Sequence, residues 1–354
     1  MSEQQAPSTP NRKRLGTRVA VAVILVLCLI PLALYGWLMQ YGHGRSPVDG
    51  PERVVVEIPK GSSVRQIGRI LGDSGLIDDD FRFLLLARWE KVATRLRAGE
   101  FQLPYGKTPI EILHLLATAK PYHYAITVPE GLRGTQIAEI FAANGWCDPT
   151  VFQRLMTDSQ LLTDLGLGAV PSVEGYLYPD TYFLTRDMRG ARTIITLLVR
   201  RFQQVWSEIT RDLDELPDER ETVILASIVE KETGAAAERP LIASVFMNRL
   251  RTGMKLQSDP TVMYGSGDFV GPITKAQLQA ATPYNTYVIP ALPTGPIANP
   301  GKDALLAVLH PARADYLYFV SKNDGTHYFS TTLREHINAV NTYQRPKGHS
   351  DESQ

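Results

Sequence analysis

The stretch from Val19 to Met39, VAVAVILVLCLIPLALYGWLM, runs for 21 residues without a charge. As a helix, a run of that length crosses the roughly 30 Å hydrocarbon core of a bilayer. Arg12, Lys13, Arg14 and Arg18 precede it, and Tyr35, Trp37 and Tyr41 mark its far end. The basic flank predicts a cytoplasmic N-terminus (a tail over 1–18), and the aromatic residues predict the opposite interface. A cleaved signal peptide is the competing reading. The run is longer than a usual signal core and no A-x-A-like site follows it, which favours a retained single-pass anchor in the cytoplasmic (inner) membrane. The rest of the chain is then expected on the periplasmic, extracytoplasmic side.

That remainder, within a chain of 354 residues, is too long for one small core, so two or three domains are expected. Lys and Arg total 37 and Asp and Glu total 37, which gives no support to a nucleic-acid partner. Cys28 lies in the apolar run and Cys147 stands alone, so neither a disulfide framework nor a cysteine zinc site is expected. The seven histidines show no paired spacing, and no serine or cysteine elbow occurs. Metal and acyl-transfer chemistry are therefore disfavoured, and no cofactor is expected.

After a polar linker over 40–52, the chain repeats itself. VEIPKGSSVRQIGRILGDSGLIDD from Val56 and ITVPEGLRGTQIAEIFAANGWCDP from Ile126 align without a gap at an offset of 70 residues. Each copy reads as a short strand, a Pro-x-Gly turn, a helix and a glycine C-cap before a second helix. RAGEFQLPYGKTPIEILHLLATAK adds a strand and a helix, with Thr108-Pro109 opening the helix, so 53–121 reads as a compact strand–helix–helix–strand unit. The second copy and a connecting region occupy 122–215. Leu216-Pro217 looks like a boundary, followed by a helix from near Asp218 and another over Leu241–Arg251. From Lys255 to Gly301 the sequence is rich in Pro, Gly, Tyr and Asn and lacks periodicity, as a cleft built from loops would be. A hairpin around Asn323-Asp324-Gly325 and a helix capped by Thr332 and Glu335 close this 216–345 region, and 346–354 reads as a disordered tail. The fold class is α+β, mainly helical beyond residue 216.

The apolar run LASIVEKETG, residues 225–234, ends in two glutamates. At about 100° per residue, Ile224, Leu225, Ile228 and Val229 span an arc of roughly 140° and Glu232 falls inside it. Glu230 lies on the other side, as a solvated or structural carboxylate. Partial burial of Glu232 would disfavour its charged form and keep it protonated near neutral pH, as a general acid requires. The alternative is that the helix has ended by Glu232 and both charges sit in solvent. Downstream, Asn248, Arg249, Gln257, Ser258 and Asp259, and then Tyr284, Asn285, Thr286, Tyr287 and Asn299, offer the polar and aromatic groups of a sugar-binding cleft. The same residues could instead merely rigidify surface loops.

Taken in order, the anchor, EGYLYPDTY, ASIVEKETGAAAERPLIASVFMNRLRTGMKLQSDPTVMYG and YNTYVIPALPTGPIANPG resemble the endolytic murein transglycosylases of the MltG (YceG-like) family. The likeness runs from the anchor to the last helix. It implies a LysM-like module before a lysozyme-like catalytic domain, cleavage of glycan strands in nascent peptidoglycan, and association with peptidoglycan synthases. Lytic transglycosylases of the lysozyme-like superfamily carry their acid in a Glu-Ser step, which Glu232-Thr233 resembles with threonine in place of serine. Glu232 is then the expected acid. Thr233, Asn248, Gln257, Ser258, Tyr264, Tyr284 and Asn285 are the expected substrate-binding residues, with Glu174, Asp259 and Glu230 as supporting carboxylates. A water-using hydrolase with a second carboxylate, and a non-catalytic peptidoglycan-binding protein, remain the competing functions.

Overall fold

The computed structural model describes residues 12–45, 52–118, 120–267 and 271–344, with the side chains of the first helix described from Ala20. The outer part of the N-terminal tail, the middle of the linker and the tail over 346–354 lie outside the described residues. The chain divides into two units, Met1–His123 and Tyr124–Gln354. Each has its own hydrophobic core. The expected mixed, mostly helical α+β architecture with an N-terminal apolar helix is what the chain forms.

In the first unit, α1 (Arg12–Gly42) carries a long apolar segment, Ala20–Gly42, almost none of which is buried by the protein. A core helix would be covered, so this one fits a membrane span by length and composition. Its last turns do pack: Leu38 and Tyr41 join the core of the unit. Residues 40–42, expected in the linker, therefore continue the helix. Beyond it, β1 (Arg53–Ile58) leads into α2 (Val64–Asp73) and α3 (Arg82–Trp89), and β2 (Gly99–Pro104) and α4 (Pro109–Thr118) complete the unit. β1 and β2 pair antiparallel, with Val56 opposite Phe101. Both of those side chains are buried, as the period-two alternation requires.

The second unit opens with the other copy of the repeat, β3 (Tyr124–Thr127) and α5 (Gly134–Ala143). Gly61 and Gly131 take φ of 82° and 73°, and Gly75 and Gly145 take 70° and 72°. The aligned glycines thus make the same left-handed turns, at which a Cβ would be strained. Past the aligned stretch the two copies diverge. In the second, α6 (Pro149–Leu155), α7 (Ser159–Asp164) and the aromatic segment intervene before β4 (Thr181–Leu184) returns to pair with β3.

Next come α8 (Ala191–Ile209) and α9 (Glu219–Glu232), the latter capped by Asp218, whose carboxylate accepts from the Glu221 N–H. Every residue of α9 from Thr222 to Val229 is buried. α10 (Arg239–Arg251), α11 (Asp259–Gly265) and α13 (Lys302–Leu309) pack around it. The loop-rich span is broken by α11 and the short α12 (Lys275–Gln279). The hairpin of β5 (Tyr318–Ser321) and β6 (His327–Ser330) precedes α14 (Leu333–Tyr343), which Thr332 and Glu335 cap reciprocally.

Candidate active site

α9 ends at Glu232 because Thr233 turns extended, with φ −144° and ψ 140°. The Thr233 hydroxyl accepts from the Ala235 N–H at 2.9 Å, which fixes the turn rather than facing a ligand. Glu232 is half-buried, and its Oε1 accepts a short hydrogen bond from the Ser258 hydroxyl. Burial pushes its carboxyl up to about 7, and the negative charge of Asp259 adds to this. The Ser258 hydrogen bond and the Arg249 cation act in the opposite direction. The balance holds a carboxylic acid near its midpoint at neutral pH.

Ser258 is held from both sides. Its N–H donates to Thr286 Oγ1 at 2.9 Å, and the Gln257 N–H donates to the Thr286 carbonyl at 3.1 Å. Gln257 takes φ +50°, a left-handed conformation that is costly for a residue with a side chain. Arg249 helps impose it. Its buried guanidinium donates to the Leu256 carbonyl at 2.5 Å and to the Leu317 carbonyl at 2.7 Å, so one side chain clamps the segment before Gln257 and the segment before Tyr318.

Residues that follow both segments line a cleft of about 360 Å³, together with Glu232, Arg249, Tyr287, Leu333 and His336: Gln257 and Asp259 from the first, Tyr318 and Phe319 from the second. Asp259 accepts from the Tyr287 hydroxyl at 2.6 Å. His336 stacks on Tyr318 with ring centroids 5.2 Å apart, and its buried Nδ1 has no hydrogen-bond partner among the described residues. Burial and the Arg249 cation depress its pKa, so the ring is neutral and can meet a polar group of a ligand. Polar groups interleaved with aromatic faces suit a carbohydrate, which presents hydroxyls at its edges and C–H bonds on its faces.

The structure therefore brings Glu232, Gln257, Ser258 and Asp259 together. It places the other expected residues elsewhere. Asn248 donates to the carbonyls of Ala314 at 2.8 Å and Tyr316 at 3.0 Å, tying down the chain before β5. Asn285 is buried, and its amide donates to the Gln277, Leu278 and Ala280 carbonyls. Tyr264 and Tyr284 pack on each other 4.7 Å apart, away from the cleft lining.

Glu174 is buried and accepts from the Gly134 N–H at 2.9 Å, Asn299 Nδ2 at 2.7 Å and the Tyr264 hydroxyl at 3.4 Å. Burial lifts its pKa to about 7 as well. Its oxygens are occupied by the protein, however, and it does not line the cleft. Glu230, expected on an outward face, is nearly enclosed. Arg239 pairs with it at 3.2 Å, and the Gly301 N–H donates to it at 3.0 Å.

Tyr318, Phe319, Leu333 and His336 are the cleft residues to which the sequence did not point. Arg249 and Tyr287 stand in the sequence only as two polar or aromatic candidates among several. His336 carried no spacing signal because its helix meets Glu232 only through the fold. Among the described residues no group of three or more His, Cys, Asp or Glu is placed to hold a metal.

One carboxyl poised near its midpoint at the edge of a polar and aromatic cleft has the chemistry to give and take a proton on a neutral polar ligand. The chain belongs to the YceG-like family, whose profile matches residues 56–342. It is 32% identical over 318 residues to the endolytic murein transglycosylase of Bacillus subtilis (strain 168), covering 83% of this chain and 86% of that one. The endolytic murein transglycosylase of Streptococcus pneumoniae (serotype 2, strain D39) is 28% identical, covering 90% of this chain and 64% of that longer protein. The crystal structure of a yceG-like protein of Listeria monocytogenes superposes with a TM-score of 0.56 at 31% identity, covering 81% of this chain and 98% of that one.

Proposed function

We propose that this chain is a membrane-anchored lytic transglycosylase that cuts the MurNAc–GlcNAc β-1,4 bond within nascent peptidoglycan strands. The observation that carries the reading is the Glu232 carboxyl at the edge of the cleft, braced by Ser258 and raised by burial so that a large share keeps its proton near neutral pH. Glu232 gives its proton to the glycosidic oxygen as the C1–O bond breaks, and positive charge develops at C1. The resulting carboxylate takes the proton of the sugar's own C6 hydroxyl. That oxygen closes onto C1 to leave a 1,6-anhydro-MurNAc end. The proton returns to Glu232 and no water is consumed. The bond is cut within the strand, as the names of the similar proteins say of them, and such cuts end glycan elongation.

Gln257 and Ser258 border the acid, and His336, Tyr287 and Tyr318 supply the polar and stacking surface for the ring. Arg249 acts as a positioning residue by clamping both segments that lead into the cleft. Asn248, Tyr264, Tyr284, Asn285 and Thr233 support the fold of the site instead of touching substrate. The apolar and unburied segment Ala20–Gly42 supports a single-pass anchor in the inner membrane, with the remainder periplasmic. The β1–α2–α3–β2 order supports a LysM-like module, and α9 to α14 a lysozyme-like catalytic region. Peptidoglycan synthases are the proposed partners, on family resemblance.

Asp259 favours a second reading, because it is a carboxylate in the same cleft. A hydrolase would use it to activate water or to attack C1. Mass spectrometry of digested glycan strands separates the two. Anhydro ends are expected from the wild type, and reducing MurNAc ends alone would sink the transglycosylase. Glu232→Gln should lower the rate by about 10²–10⁴-fold, the range for loss of a general acid.

A further inference from the structure

α3 is apolar on two sides. Phe83, Leu86 and Ala87 are buried in the core of the first unit. Phe81, Leu85 and Trp89, four residues apart in succession, stay 59%, 38% and 56% exposed. A stripe of large apolar side chains along one helix face is a surface that something covers.

Its neighbour on the same unit is the end of α1. The Trp89 ring packs 5.3 Å from Tyr35, and Phe81 packs 5.7 Å from Trp37. The Arg82 guanidinium lies 5.1 Å over Trp37 and 4.7 Å over Tyr41, and the Tyr41 hydroxyl donates to the Asp78 carbonyl at 3.1 Å. Leu85, Arg88 and Trp89 form one wall of a groove of about 500 Å³, and Pro31, Leu34, Tyr35, Trp37 and Leu38 form the other. The stripe is therefore fixed level with residues 31–38, inside the uncharged run. At 1.5 Å per residue, Tyr35 lies about 10 Å short of the helix end at Gly42.

We infer that the groove between α1 and α3 takes an acyl chain of a membrane phospholipid. Phe81, Leu85 and Trp89 then lie in the headgroup boundary of the extracytoplasmic leaflet, and Arg88 at the rim of the groove meets the phosphate. This rests on the reading of α1 as a membrane span. If α1 crosses the bilayer, a face locked to its final turns has no route to bulk water, and amphipathic Trp and Tyr are the side chains that settle at that boundary. The guanidinium can extend to the phosphate while its stem stays in the apolar layer. The first unit is then seated in the membrane surface at a fixed orientation, instead of hanging from it on a flexible tether.

The test uses the full chain in vesicles of phosphatidylethanolamine and phosphatidylglycerol. Cys28 and Cys147 are replaced by alanine, and a nitroxide is attached through Leu85→Cys or, in a second protein, Leu25→Cys. Power saturation compares access by oxygen, which enters lipid, with access by a nickel chelate, which stays in water. Expected is a Leu85 label that oxygen reaches more readily than nickel does, at a depth shallower than that of the Leu25 label. A Leu85 label open to nickel while the Leu25 label is lipid-buried overturns this inference and leaves the anchor intact. If nickel reaches both, the anchor reading falls and this one with it. Spin–spin broadening between Leu85 labels, with access to neither probe, would show a second copy of the chain on the face and also overturn the proposal.

Discussion

Glu230 and Glu232 stand two residues apart, yet the chain treats them as opposites. Glu230 is spent on Arg239 and the start of α13, while Glu232 keeps its second oxygen free of any donor among the described residues and borders the cleft. Glu230→Gln should therefore cost about 2 kcal/mol of stability, the scale of a hydrogen bond to a charged group, and leave the rate per folded molecule near wild type. Denaturant titration beside a turnover assay checks this, and a rate loss as deep as that of Glu232→Gln would mean the acid is misassigned. Ser258→Ala removes the hydrogen bond that favours the Glu232 carboxylate. A general acid needs its proton, so on the proposed role of Glu232 the wild-type activity should fall as pH rises through about 7. In Ser258→Ala that falling limb should move to higher pH, with a lower maximum. A pH–rate profile reads both.

Among the elements, the loop–helix segments around α9 decide how well the acid is held. Asn299 joins three of them. Its Oδ1 accepts from the Gly175 and Leu177 N–H groups at 2.9 Å each, and its Nδ2 reaches Glu174 and the Leu132 carbonyl. Gly175 sits there at φ +88°, and a Cβ would run into the Pro296 ring and come 2.9 Å from Val223 on α9. Gly175→Ala should destabilise the fold by about 3 kcal/mol or more, through both backbone strain and overpacking, and thermal unfolding measures it. Element boundaries were largely legible beforehand. Asp218 capped the helix it was expected to open, and Thr332 with Glu335 boxed the last one. The span from Lys255 to Gly301 shows no periodicity in the sequence because α11 and α12 are too short to carry one.

Across the whole molecule, two carboxyls raised to about 7 leave a mark on stability. The folded chain binds more protons than the unfolded one between about 4.5 and about 7. The stabilisation from protonated Glu174 and Glu232 is thus complete below about 4.5 and lost as pH rises through about 7, on the order of 3 kcal/mol for buried Glu174. Urea titrations across that range should show the slope, and Glu174→Gln should flatten it. By itself the sequence determined the apolar N-terminal helix, the duplicated strand–turn–helix, the caps and the proposal of Glu232, because each rests on neighbours within a few residues. Even there the helical-phase argument is incomplete. It assumed one apolar face, whereas α9 is buried all round and Glu230 is covered too. Only the tertiary structure decided which side chains share a cleft with Glu232. Arg249, Tyr318 and His336 come from three elements distant in sequence, and Asn248 and Asn285 are turned toward backbone carbonyls that no local pattern announces. A cleft is made where separate elements meet, so its lining is fixed by packing and hydrogen-bond satisfaction across the fold rather than by the spacing of residues along the chain.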